Sequence, residues 1–174
     1  MAKTYTAYAT GIAFASNKSL LGIFNAHATR KVKIYRVWAL NNQTAAVTGV
    51  LTSMLLRKIS ALSAGTAVTP VPHDSANATA DLTSITCVTG GTATNTADNA
   101  LRQIMWSGDE PAVSSATSDE LQCIVPLMCI WDADPSSSSN VEPFVLNQNE
   151  GLHLVQPGAN AVGILDIAFE FTVS

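Results

Sequence analysis

Charge is what this chain lacks most. Asp, Glu, Lys and Arg make up 13% of its 174 residues, about half the ~25% of an ordinary globular domain. Their place is taken by Ala, Thr, Ser and Asn. A protein that diffuses as a monomer is kept from its own copies by a mixed charged surface and a net charge away from zero. With a formal net charge of -4 and 47% hydrophobic residues, much of this surface is expected to be covered by further copies or by a partner. Only nine residues are Lys or Arg, which argues against nucleic acid as a partner, because phosphates demand clustered cations. The densest group, Arg30-Lys31-x-Lys33 with Arg36 beyond, reads as a loop and one exposed strand face. Long apolar runs are also missing. Those present are broken by Pro126 or by polar residues, far short of the ~20 residues of a spanning helix, so no membrane association is expected. Met1 to Thr6 has no apolar core of signal-peptide length.

Cysteine is scarce too. Cys87, Cys123 and Cys129 have no metal-ligand spacing, and an odd number without an export signal predicts reduced, buried thiols. On a straight strand Cys123 and Cys129 would stand about 20 Å apart at ~3.3 Å per residue, too far for a disulfide unless Pro126 bends the chain.

What the chain does have is alternation. Leu165, Ile167, Phe169, Phe171 and Val173 are large and apolar, while Asp166, Ala168, Glu170 and Thr172 lie between them. That is the period of a strand with one face on a core, so Asp166 and Glu170 are expected to face solvent or a neighbour. Leu152 to Val155 forms a second short strand. Gln156-Pro157-Gly158-Ala159-Asn160 between them predicts a reversal, since Pro presets φ and Gly accepts φ > 0. A C-terminal hairpin is therefore expected. Lys31 to Leu40 is a further strand, with Val32, Ile34, Trp38 and Leu40 on one side and Lys33, Tyr35, Val37 and Ala39 on the other. Asn41-Asn42-Gln43 would turn it into a return strand over Gly49 to Ser60. Glu120 to Trp131 contains Pro126, which cannot donate to a ladder and places that strand at an edge or a bend. One more strand is expected around Leu20 to Phe24.

Ala61 to Ala80, Thr89 to Thr96 and Asp134 to Asn140, rich in Gly, Pro, Ser and Thr, are expected to be loops. The one helical candidate is Thr96 to Met105, and no repeat of 20–50 residues is present. Strands at this spacing predict an all-β fold: a single-domain antiparallel β-sandwich, jelly-roll-like, with at most one short helix. Residues 17–174 would form the sandwich. Residues 1–16 are expected to be an N-terminal arm lying on another subunit, because Tyr5, Tyr8, Ile12 and Phe14 do not share one strand face.

No catalytic constellation is visible, and no catalytic, cofactor-binding or metal residue is assigned. His27, His73 and His153 stand alone, without His-x-His or Cys-x-x-Cys spacing. His153, between Leu152 and Leu154, is expected to point outward from an edge strand. Asp132-x-Asp134 with Glu142 lacks the Gly and Glu of a helix-flanked calcium loop. Asp109-Glu110 and Asp119-Glu120 are sequence neighbours in turn-rich segments and read as solvated acids. Gly90-Gly91 has no following Lys and helix, so it is no phosphate loop. Core positions are expected for Trp38 and Trp131, and a segment boundary with a possible interface for Trp106.

Val37-Trp38-Ala39-Leu40-Asn41-Asn42-Gln43-Thr44, Thr66 to Asp74, Met105-Trp106-Ser107-Gly108-Asp109-Glu110-Pro111 and Glu150 to Leu154 together resemble small virion structural proteins of tailed bacteriophages. That group includes head decoration (cement) proteins, minor capsid proteins and tail-tip or fibre components. The resemblance runs from about Thr6 to the C-terminus and implies a β-rich fold, no catalysis and repeated copies in a particle. It carries no binding residue over. The expected function is a capsid decoration protein that forms a homo-oligomer, a trimer by preference, on the major capsid protein or another virion subunit. A tail or fibre module binding a host receptor or glycan would need exposed aromatics grouped on loops, with Trp106 the best placed. A glycan-processing enzyme would need two carboxylates about 5–10 Å apart across a cleft.

Overall fold

The C-terminal alternation is the spine of the molecule. The computed structural model describes residues 3–42, 51–77, 79–96, 100–107, 127–133, 141–158 and 163–174. Its strands are β1 (Lys3–Ala13), β2 (Ser19–Asn25), β3 (Val32–Asn41), β4 (Leu51–Ser63), β5 (Thr66–Ala67), β6 (Val71–Pro72), β7 (Ile85–Thr89), β8 (Thr92–Asn95), β9 (Arg102–Ser107), β10 (Met128–Asp132), β11 (Phe144–Leu146), β12 (Glu150–Val155) and β13 (Ile164–Val173), with one 3₁₀ turn at Thr79–Leu82. They form two antiparallel sheets. The first runs β10-β3-β13-β1-β6, with β11 also on β3, and the second runs β5-β7-β2-β12-β4-β8, with β9 also on β4. The sheets face each other across a core that includes Tyr5, Leu21, Ile23, Ile34, Leu56, Leu152, Leu154, Ile167, Phe169 and Phe171. Tyr5 stacks on Phe171 with ring centroids 5.8 Å apart.

Among the eight principal strands, β10-β3-β13-β1 and β2-β12-β4-β9 are the two four-stranded sheets of a jelly roll. Along these eight strands the chain changes sheet from β1 to β2, β2 to β3, β3 to β4, β9 to β10, β10 to β12 and β12 to β13. Two expected hairpins are therefore corrected. The strands on either side of 41–43 and of 156–160 exist, but each pair belongs to opposite sheets. Local turn chemistry does not choose a pairing partner, and burial of both apolar faces sends the next strand to the other layer. The helical candidate is also corrected. Its described part from Arg102 onward is β9, paired with β4 from Leu51 to Leu56, where partner strand and sheet burial override local helical propensity. Of the strand expected over Glu120 to Trp131, Met128–Asp132 is β10 at the margin of the first sheet; Glu120 to Pro126 and Cys123 lie outside the described residues.

The expected arm over 1–16 is a third correction. Its described residues include β1, which lies inside the first sheet between β13 and β6 and sends Tyr5, Ala7 and Ala9 into the core. The alternation fails because the register shifts between Ala9 and Ile12, where Gly11 has φ +62°, a value that an L side chain rarely adopts. Beyond this bulge Ile12 and Phe14 pack against the core instead, since one extra residue exchanges the two faces. Asp166 pins the bulge. One of its oxygens accepts from Gly11 N–H at 2.8 Å and from Asn42 Nδ2 at 2.9 Å, and the other from Tyr8 O–H at 2.9 Å. Asp166 is thus buried rather than solvated. The same device corrects the faces of β3. Between Ile34 and Arg36 its register with β13 shifts, so Val32 and Ile34 are followed into the core by Val37 and Ala39, not by Trp38 and Leu40.

The chain between β4 and β9 closes one side of the roll. β6 extends the first sheet beyond β1, and β7 extends the second beyond β2. On the 3₁₀ turn, Asp81 holds Lys3 of β1 by an ion pair and Arg30 at 3.2 Å; the Lys3 hydrogen bond keeps its carboxyl below the usual carboxylate range. The far end of β4 pairs with β8 while β5, two residues later, pairs with β7 across the sheet. Four strand spacings, roughly 19 Å, exceed what so short a turn spans sideways, so the β4–β8 ribbon folds over the outer face of the second sheet. Leu62 on this ribbon lies over Gly22, where any Cβ would stand 3.1 Å from its Cδ.

Candidate functional site

The outer face of the first sheet is built in rows by the β1–β13–β3 register. Thr4, Thr172 and Lys33 form one row; Thr6, Glu170 and Arg36 the next; Tyr8, Ala168 and Trp38 the third. Ala168 presents only a methyl group between two large neighbours, and the Tyr8 and Trp38 rings meet with centroids 5.5 Å apart. Trp38 Nε1 donates to Glu170 at 3.3 Å. Arg36 reaches Glu170 with Nη1 at 3.7 Å and Asp132 with Nε at 3.4 Å. From the closing segment, His73 donates its backbone N–H to Thr4 O at 2.9 Å and places Nε2 2.7 Å from Thr6 Oγ1.

Between His73 on one bank and Tyr35 and Arg36 on the other lies an open cleft of about 400 Å³ whose lining also includes Thr4, Glu170, Phe171 and Thr172. Thr172 is 9% exposed, and its Oγ1 is enclosed without a hydrogen-bond partner. A buried hydroxyl left unpaired costs about 1–3 kcal/mol, so this atom marks where the wall has unused bonding capacity. The cleft combines carboxylate, guanidinium, imidazole and hydroxyl groups, with an aromatic pair one row away.

A second polar cluster lies under the β4–β8 ribbon. A register shift in β2 leaves Ser19 opposite Val155, and Ser19 Oγ stands 2.8 Å from His153 Nδ1. His153 Nε2 stands 2.9 Å from Asn95 Oδ1. An amide oxygen only accepts, so Nε2 carries the imidazole proton and Nδ1 accepts from the serine. Serine, imidazole and amide in line resemble a nucleophile, a base and its orienting group. A substrate cannot reach them, because Ser19 is 0% and His153 2% exposed. Burial, followed by the nearby Arg57, pushes the His153 pKa down to about 4. The cluster fastens β2, β12 and β8 together. His153 faces away from the core between Leu152 and Leu154, but the expected edge strand is corrected: β12 is flanked by β2 and β4, and the ribbon covers its outer face.

No family model, curated protein or solved structure matches this chain.

The other sequence candidates fall in scattered places. His27 Nδ1 accepts from the backbone N–H groups of Thr29 and Arg30, each at 3.2 Å, and closes a turn. Of the basic group, Arg30 is held by Asp81 and Arg36 by Asp132 and Glu170, so the charges of these two arginines are locally compensated. Trp131 stacks on Phe144 with centroids 4.0 Å apart and packs against the core. Trp38 is corrected to the outer face, half-buried over Ala168. The backbone of Trp106 lies in β9. Cys87 is buried, with its thiol pushed up to about 12 by burial, whereas Cys129 is exposed on marginal strand β10, contrary to the expectation of buried thiols. Asp109-Glu110, Asp119-Glu120 and Asp134 lie outside the described residues. Among the described residues, no three His, Cys, Asp or Glu side chains converge. The cleft itself was missed because Arg36, His73, Glu170 and Thr172 share no spacing. The available signal was the run of polar side chains at even positions in both β1 and β13.

Proposed function

We propose that this chain is a structural subunit of a bacteriophage virion, a head decoration protein that clamps neighbouring shell subunits as a homo-oligomer, with a trimer preferred. The observation that carries the reading is where the three most exposed large apolar side chains among the described residues stand. Val71 is on β6, Met105 on β9 and Leu127 next to β10. Among the described residues, each of these strands is at the margin of its sheet. Marginal strands offer unpaired backbone groups, and proteins that stay apart commonly guard them with charge. Here β6 carries no charged residue, β9 carries Arg102 alone, and Asp132 of β10 is occupied by Arg36. Margins that are apolar and nearly uncharged suit association of copies better than free diffusion. Jelly rolls also serve in viral capsids; that support is a fold-level analogy.

Fractionating disrupted particles tests the location: the protein is expected with the heads, and recovery with the tails or outside the particle would overturn the reading. Light scattering at micromolar concentration tests assembly. A trimer that dissociates on Val71→Lys or Met105→Lys is expected, and a wild-type chain that stays monomeric at high concentration would refute the clamp.

A further inference from the structure

We propose that the cleft on the outer face of the first sheet is a binding site for a neutral saccharide, a function separate from assembly. The chemistry of the lining selects this class by elimination. An anion is disfavoured, because Arg36 is already faced by two carboxylates, Glu170 and Asp132, and Lys33 in the row of Thr172 only brings the local balance to zero. A bare cation is disfavoured as well, because the guanidinium bridges those same two acids and repels a second positive charge. An apolar ligand would strand Arg36, His73 and Glu170 without water. What remains is a ligand that donates and accepts at several closely spaced points. A pyranose does so, since each hydroxyl is both donor and acceptor. Glu170 accepts, Arg36 donates, and Thr4 and Tyr35 can do either. The enclosed Thr172 Oγ1 lacks a partner, and a change of χ1 rotamer, which exchanges it with the methyl group, is the step that offers it to the ligand.

Two further features agree. The volume of about 400 Å³ falls in the ~300–1,000 Å³ range of small-molecule sites. One row along the strands, about 7 Å away at ~3.4 Å per residue, the Tyr8 and Trp38 rings form an aromatic pair joined to the cleft by the Trp38–Glu170 hydrogen bond. Tyr8 is exposed, so the C–H face of a second sugar ring can rest there while the first fills the cleft. Polar groups for the hydroxyls beside a ring for the apolar face match the two sides of a sugar.

The test uses the full chain in its native assembly, so its outcome is independent of the location of the protein in a particle. Glucose, galactose, mannose, N-acetylglucosamine, maltose, cellobiose and lactose are titrated with detection by amide chemical shifts and tryptophan fluorescence. Glucuronic acid and inorganic phosphate are the anionic arms. Saturable binding of at least one neutral sugar is expected, with shifts centred on Arg36, Glu170 and Thr172. Glu170→Gln and Thr172→Val should weaken it about tenfold or more each, and Tyr8→Ala should weaken a disaccharide more than its monosaccharide. Thr172→Val nearly conserves shape and removes an unpaired hydroxyl, so its melting temperature should not fall; Glu142→Gln is the neutral control. The proposal is overturned if no neutral sugar binds, if only glucuronate or phosphate binds, or if sugar affinity survives both cleft substitutions.

Discussion

Acid should weaken this fold through one imidazole. His153 sits beneath the β4–β8 ribbon with Ser19 and Asn95 on its two ring nitrogens and Arg57 beside it on β4. Its pKa is lowered from 6.5 to about 4. Above pH 6.5 the ring is neutral in both the folded and unfolded chain, and the full stability is present. As pH falls below 6.5 the unfolded chain takes up a proton that the folded chain refuses, and stability drops until the folded ring also protonates near pH 4. A gap of roughly 2.5 units at 1.36 kcal/mol each amounts to about 3 kcal/mol. That is a large part of the ~5–15 kcal/mol that holds a typical domain. Urea melts at pH 7, 6, 5 and 4 on the wild type and on His153→Gln measure it. Gln cannot titrate, so carboxylates such as Asp81 that also weaken the fold in acid cancel in the comparison. The wild type is expected to lose about 3 kcal/mol more than the variant between pH 7 and 4. If the two curves stay parallel across that window, His153 protonates freely in the native state and is not sealed as described.

Three more outcomes are expected. Phe169→Ala opens a void in the centre of the core and should cost about 3–5 kcal/mol in a urea melt, and Glu170→Ala on the outer face much less; equal losses would contradict the assigned faces. Deleting residues 1–16 removes β1 from between β13 and β6 together with Tyr5, Ala7 and Ala9 from the core, so circular dichroism should show loss of the cooperative melt, and a deletion that folds as before would restore the idea of a detached arm. In a Cys123→Ser background, Cys129 should react with a thiol reagent in the native protein and Cys87 only after unfolding; Cys129 should need alkaline pH to react quickly, because burial and then Asp132 raise its pKa, and rapid labelling of both thiols at neutral pH would contradict the packing around β7.

Strand content was legible because alternation is local. Leu165, Ile167, Phe169 and Phe171 announced a core face on their own, and all four are fully buried. Turn residues at 156–160 announced a reversal, and marginal strand β10 followed from the proline ahead of it. The expected hairpins failed because a reversal does not name a pairing partner. Gln156-Pro157-Gly158 carries the chain to the opposite sheet as readily as to a neighbour in the same one. The faces of β1 and β3 failed for a sharper reason: one extra residue, near Gly11 in the first and between Ile34 and Arg36 in the second, inverts everything beyond it.

From the order of its residues alone, the chain determined that it would be a low-charge β-sandwich, because composition and a period of two act over a few residues at a time. Tertiary structure alone decided which strands are neighbours, and hence that Arg36, His73, Glu170 and Thr172 share a cleft while buried Ser19 and His153 join exposed Asn95 in one network. The physical reason is that antiparallel pairing joins residues more than a hundred positions apart, such as Thr6 with Glu170. Burial of an apolar face drives such pairing without specifying from nearby sequence which strand supplies the other half.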